Sequence, residues 1–415
     1  MSASRAWLAC LLLLPTLACR AGGQPPEDSP AADRHELSAA PGAKDETLRE
    51  EALALLDERE RALADGDREA FLATVDPDEL GFSATQARWF DNLAQLPVGD
   101  VSFELGDEEA LTDDFDDGEL RLPVDFTMRL RGFDSRPVTD MMVWTFVHRD
   151  DDVLLVGDRD EEVDLVNGWI PATWDLAHVE VRRSGGILAV FDEDTSEHAT
   201  YVMSDLADAT AVVRRHFPDW SGRYVAYGAS DTTAIAEMSG MTVDQTAGVA
   251  FPVLARPDGP VAAYRFAVNP TVVGDVVARG LVFRHELAHV ALGATDDRSP
   301  VWLMEGAAEY VARSTMPVDD RRRIAAFQLV GASARTLEPT RSFYTGDATL
   351  SYNLAAVVCD YVATTRGEAA LWDLVRSFRT ARFFSWAQTE GVVRRELGLS
   401  TKELSAQALA WARAA

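Results

Sequence analysis

Cysteine is almost missing from this chain, with Cys10, Cys19 and Cys359 the only three in 415 residues. A disulfide framework is thereby excluded, even in a compartment that would permit one. Cys359 falls in an apolar helical pattern with Leu354, Val357, Val358 and Tyr361, and is expected to be a small buried hydrophobe. Basic runs are lacking too. The chain has 68 acidic residues against 39 basic ones, for a net charge of −29. So negative a surface repels phosphate backbones, and nucleic acid is not an expected partner. The excess is expected to form a solvated surface that keeps the protein soluble. Beyond the amino terminus, no apolar run reaches the length of a membrane span.

The first nineteen residues have the layout of a secretory signal. Met1 to Arg5 carries one positive charge, Ala6 to Leu14 is apolar, and Pro15-Thr16-Leu17-Ala18-Cys19 follows. The Leu-Ala-Cys ending resembles a bacterial lipoprotein signal, although Thr16 stands where such signals prefer leucine. The resemblance implies a lipidated Cys19 and a mature protein of the cell envelope, held on the outer side of a membrane surface. Residues 20–45, rich in Gly, Pro and Ala, read as a flexible tether. His35-Glu36-Leu37-Ser38-Ala39 within it begins a metal-binding pattern, lacks the second histidine, and carries nothing.

The length suggests two folded domains, and the pattern is α+β in both. Across 46–170, helical spacing runs from Glu46, breaks at Gly66-Asp67, resumes at Arg68–Leu72 and returns over Ser83–Leu96. Alternating strands follow at Val101–Leu105, Leu120–Leu130, Val138–Val147 and Val153–Val156. The acidic clusters at 113–118 and 149–152 lack the spacing of a calcium loop and read as hairpin turns. This order of elements resembles the nuclear-transport-factor-2-like fold, which implies a curved sheet wrapped around helices. Support, substrate docking and ligand binding all remain open as its role.

The second region, 174–415, opens with short strands at Val179–Val181 and Ile187–Phe191, a helix over Ala199–His216, and strands at Tyr224–Tyr227 and Ala262–Val268. His148, His178, His198 and His216 lack ligand spacing, so surface or capping roles are expected of them. An apolar helix is expected from about Val276 to Leu292, and it contains His285-Glu286-Leu287-Ala288-His289. Positions four apart share a helix face, so His285 and His289 can present two imidazoles to one ion. Glu286 lies about 100° round the helix, placed to take a proton from a metal-activated water. Burying these groups unpaired among Leu281, Val282, Phe283, Leu287, Val290 and Leu292 would be costly. After the helix stop at Gly293, Val301–Ala312 starts a second apolar helix, with Glu305 and Glu309 four apart on one face.

His285-Glu286-Leu287-Ala288-His289 followed by Trp302-Leu303-Met304-Glu305-Gly306-Ala307-Ala308-Glu309-Tyr310 resembles the gluzincin metallopeptidases, in particular the peptidase-MA-like group related to M1 aminopeptidases. The resemblance covers roughly 260–365 and implies a zincin-like domain. It also implies Zn²⁺ held by His285, His289 and Glu305, with Glu286 as general base and Glu309 supporting a ligand histidine. It further implies a tyrosine that stabilises the oxyanion, at Tyr352 with Tyr344 as a rival. An edge strand pairing with extended substrate is implied at Ala262–Val268. Met304 departs from the family's Asn, fifteen residues separate His289 from Glu305, and the Gly-x-Met-Glu-Asn aminopeptidase signature is missing. Exo- and endopeptidase activity therefore both stay open. The resulting expectation is a secreted zinc peptidase acting on a peptide or protein substrate. Its competitors are an inactive peptidase-like envelope protein that binds a partner, and a zinc hydrolase of non-peptide substrates.

Overall fold

The computed structural model describes residues 43–106, 119–150, 152–167, 169, 171–233, 247–257, 259–293, 299–344, 347–378 and 385–415. The signal, Cys19, most of the tether and the acidic cluster at 113–118 lie outside the described residues. Contacts divide the chain into two compact units. One runs to Val181 and includes Val253–Ala263; the other comprises Arg182–Pro252 and Tyr264–Ala415. Both mix helices and strands, as expected of an α+β chain.

In the first unit, α1 (Ala43–Asp65) ends where Gly66 takes a left-handed φ of +69°. Asp67 then caps α2 (Arg68–Ala73) by accepting from Ala70 N at 3.0 Å, and α3 (Leu80–Leu93) follows. Four antiparallel strands form a meander in the order β1-β2-β3-β4: Val98–Leu105, Glu119–Leu130, Val138–Arg149 and Asp152–Gly157. Alternation along β2 buries Leu120, Leu122, Val124, Phe126, Met128 and Leu130. Phe103 stacks on Phe126 at 5.0 Å and meets Trp144 at 5.1 Å. Arg59 is sealed inside this unit, donating to Thr74 Oγ1 at 2.7 Å and Gln86 Oε1 at 2.5 Å with its guanidinium over the Phe71 ring. Burial pulls its pKa down to about 9, against the opposing pull of Asp158, so it keeps its charge at neutral pH. Past α4 (Glu161–Asn167), the Asn92 amide donates to Trp174 O and Ala177 O, which ties α5 (Thr173–Leu176) to α3.

The second unit is built on a five-stranded sheet in the order β5-β6-β7-β9-β8. The strands are β5 (Val179–Ser184), β6 (Ile187–Asp192), β7 (Tyr224–Gly228), β8 (Gly248–Leu254) and β9 (Val261–Val268). β6 pairs parallel with β7, and β7 with β9, so the long α6 (Ala199–His216) serves as the crossover from β6 to β7. This order corrects one expectation. The strand at Ala262–Val268 is β9, enclosed between β7 and β8, and among the described strands the edges are β8 and β5. Alternation reports which faces of a strand are buried and says nothing of its lateral neighbours. Pro252 within β8 was the available signal, because proline is tolerated where no ladder donor is needed.

After β9 in the chain come α7 (Pro270–Val273), α8 (Val276–Leu292), α9 (Val301–Arg313), α10 (Val318–Gln328), α11 (Ala348–Arg366), α12 (Glu368–Arg376), α13 (Trp386–Leu397) and α14 (Thr401–Arg413). One core joins the sheet to α6, α8 and α9, with Phe266, Phe283 and Leu287 fully buried. A second surrounds α11, where Cys359 is a buried free thiol. No helix among the described residues is long and apolar enough to cross a membrane.

His216 departs from the surface or capping role expected of it. At the end of α6, with a side chain only 10% exposed, its Nδ1 lies 2.6 Å from Glu368 Oε1 and its Nε2 3.0 Å from Ser314 Oγ. Trp372 Nε1 donates to the same Glu368 oxygen at 2.9 Å. The ring thus pins α6 to the end of α9 and the start of α12. We expect His216→Ala to cost about 1–2 kcal/mol, the worth of two such hydrogen bonds, read as a lower denaturant midpoint with an unchanged slope. A midpoint equal to wild type would show that the clamp contributes nothing.

Candidate metal centre

The site begins with how α8 is held. Asp275 caps it by accepting from Val277 N at 2.9 Å and Ala278 N at 3.0 Å. Gly293 ends it at φ +53°, donating its N–H to His289 O. Between these caps the helix is apolar nearly all round and is buried from Val282 through Val290, except for Arg284. His285 and His289 are therefore buried within the unit. Their Nε2 atoms converge to 3.2 Å, although both sit in the core.

α9 supplies the third member. Glu305 is 1% exposed, and its Oε2 lies 3.3 Å from His285 Nε2 and 3.6 Å from His289 Nε2. That oxygen accepts no hydrogen bond. Burial would raise the Glu305 carboxyl, but the imidazoles of His285 and His289 beside it outweigh burial and hold the group well below the usual carboxylate range. The three donor atoms make a triangle with sides of 3.2, 3.3 and 3.6 Å. Ligands at about 2.0–2.1 Å around a tetrahedral ion stand about 3.3–3.4 Å apart, so the triangle has the size of one tetrahedral face. His285, His289 and Glu305 are thus a buried group that can hold a metal ion.

The surroundings complete the electrostatics. His285 Nδ1 stands 3.3 Å from Glu309 Oε1, and Glu309 Oε2 takes a 2.7 Å ion pair from Arg313 one turn further along α9. Burial would raise Glu309, but Arg313 and His285 together hold it lowered and ionised. A proton on His285 Nδ1, directed at Glu309, leaves the Nε2 lone pair for an ion. Arg284 is engaged elsewhere, donating Nε to Ala312 O at 2.7 Å. Of the three buried carboxylates Glu286, Glu305 and Glu309, it is Glu309 that pairs with the guanidinium of Arg313.

Glu286 is 4% exposed and packs beside the start of β8. A methyl group at Gly248 would stand 3.0 Å from Glu286 Cγ and 3.2 Å from its Oε1. Glycine there leaves room for the carboxylate at the sheet edge. The Tyr344 hydroxyl donates to Glu305 Oε1 at 2.7 Å. Tyr352 is 3% exposed on α11, its ring 5.0 Å from Phe343 and 6.3 Å from Tyr344. The support from Arg313 went unread in the sequence, although an arginine four residues after Glu309 was a visible signal. No family model, curated protein or solved structure matches the chain.

Proposed function

We propose that this chain is a zinc-dependent peptidase of gluzincin type. The observation that carries the reading is the donor triangle of His285, His289 and Glu305, with the carboxylate of Glu286 on the next residue of the same helix. Two imidazoles and one carboxylate suit zinc better than magnesium or calcium, which prefer all-oxygen shells. Three protein ligands with one place left open is also the composition of a catalytic zinc site, where structural sites close all four. Zinc held there would lower the pKa of a water to about 7 and polarise a substrate carbonyl.

The remaining chemistry belongs to the chain's own residues. Glu286 takes the proton of the attacking water and returns it to the leaving nitrogen, so one carboxylate serves both halves of the cleavage. Glu309 and Arg313 hold the His285 ring in one orientation. Among the described residues β8 is an outer strand of the sheet, beginning at Gly248 beside Glu286, and an extended peptide could add to it as a further strand. In this reading the amino-terminal segment sends the enzyme to the cell envelope, where Cys19 anchors it.

The test is metal analysis of the purified protein together with hydrolysis of a peptide library. One zinc per chain and cleavage are expected; bound zinc without peptide cleavage would overturn the peptidase reading in favour of a partner-binding protein or a hydrolase of other substrates. The ligands separate by affinity. Glu305→Ala is expected to lose zinc altogether at micromolar metal. Glu309→Ala should keep it with roughly 10–100-fold weaker affinity, the usual effect of losing a group that orients a ligand. Equal zinc affinity in Glu305→Ala and wild type would remove Glu305 from the ligand set.

A further inference from the structure

Glu305 has two oxygens, and the site treats them differently. Oε2 faces His285 Nε2 and His289 Nε2 and accepts no hydrogen bond. Oε1 accepts the Tyr344 hydroxyl at 2.7 Å, a short charge-assisted bond. The tyrosine is held in turn. It closes a 3₁₀ turn over Arg341–Tyr344, its ring meets that of Phe343 edge-on at 5.3 Å and 82°, and Tyr352 packs against both. Phe343 is 1% exposed, so this aromatic trio is rooted in the core around α11.

We infer that Tyr344 is a positioning residue that fixes how Glu305 meets a metal: it occupies Oε1, so the carboxylate presents Oε2 alone. The inference rests on the metal reading above. A carboxylate can bind through one oxygen or both. If Glu305 were free to rock, its second oxygen could take the coordination position that a catalytic site leaves open. The Tyr344 hydroxyl opposes that, because Oε1 would have to give up its hydrogen bond to turn inward. The arrangement parallels that of Glu309 on His285: in both cases a ligand on a helix is steered by a side chain on its far side.

The test uses the full chain and Tyr344→Phe, which keeps the ring and removes only the hydroxyl. Zinc affinity is measured by chelator competition. Coordination is read from the visible absorption of the Co²⁺-substituted protein, and far-UV circular dichroism checks the fold. The expected result is an intact fold, roughly 10–100-fold weaker zinc binding, and a weaker, shifted Co²⁺ band from a higher coordination number. A variant matching wild type in both affinity and spectrum overturns the inference and leaves the metal site standing. Weaker zinc with an unchanged Co²⁺ band also overturns it, since the tyrosine would then be merely structural. Failure of the wild type to bind Zn²⁺ or Co²⁺ would bring down the metal reading itself.

Discussion

Glu286→Gln is expected to lower kcat/KM for peptide hydrolysis by about 10³-fold or more, within the range that a positioned acid–base group contributes, while zinc content stays at that of wild type. The substitution is nearly isosteric, and the residue is 4% exposed against Gly248 in a part of the unit where little can shift. Glutamine fills the same space and keeps one acceptor oxygen, but it cannot hold the proton that the attacking water gives up. Because Glu286 lies about 100° round the helix from His285, it stands outside the His285–His289–Glu305 triangle, and the metal should not sense its loss. Two outcomes would count against this assignment. Activity within a few-fold of wild type would show that the proton goes elsewhere, and simultaneous loss of zinc would show that Glu286 holds the site together. Thermal unfolding of the zinc-loaded variant should match wild type, since bound metal stabilises both forms equally.

The parts of this site that depend on spacing along one helix were readable from the residues. His285 and His289 four apart, Glu305 and Glu309 four apart, and an apolar stretch ending in glycine all follow from helical periodicity, and α8 spans Val276–Leu292 as that periodicity predicts. The break at Gly66-Asp67 was equally local, a left-handed glycine followed by a capping aspartate. What depends on lateral order was not readable. β9 and β8 carry similar apolar patterns, and only their pairing decides which of them forms the edge. His216 meets partners 98 and 152 residues away, a separation to which no periodicity reports. Tyr344 and Tyr352 both point toward the right region in sequence, but only the three-dimensional path of the 3₁₀ turn sets the Tyr344 hydroxyl on Glu305. Chemistry was therefore legible where one helix carries it, and hidden where the sheet or a distant turn supplies the neighbour.

The residue after the third donor leads to the largest expected effect on stability. Gly306 lies on α9 where that helix crosses α11, and a Cβ added there would stand 2.5 Å from Ala355 O, 2.6 Å from Cys359 Sγ and 2.8 Å from Ala355 C. A thiol can rotate away, but a helix carbonyl cannot, so any side chain must push the two helices apart. Gly306→Val is expected to cost about 3 kcal/mol or more, the upper part of the range for overpacked cores. For a unit of this size that is a fall in melting temperature of roughly 6–12 °C. Gly306→Ala should be milder, because alanine recovers about 1 kcal/mol of helix propensity. Adding Cys359→Ala should relieve it only in part, since the Ala355 carbonyl remains. The same displacement moves Glu305, one residue away, off the imidazoles, so zinc affinity should fall with stability in the valine variant. An unchanged melting temperature in Gly306→Val would mean that α9 and α11 do not approach so closely. The glycine beside Glu305 would then have no packing reason to be there.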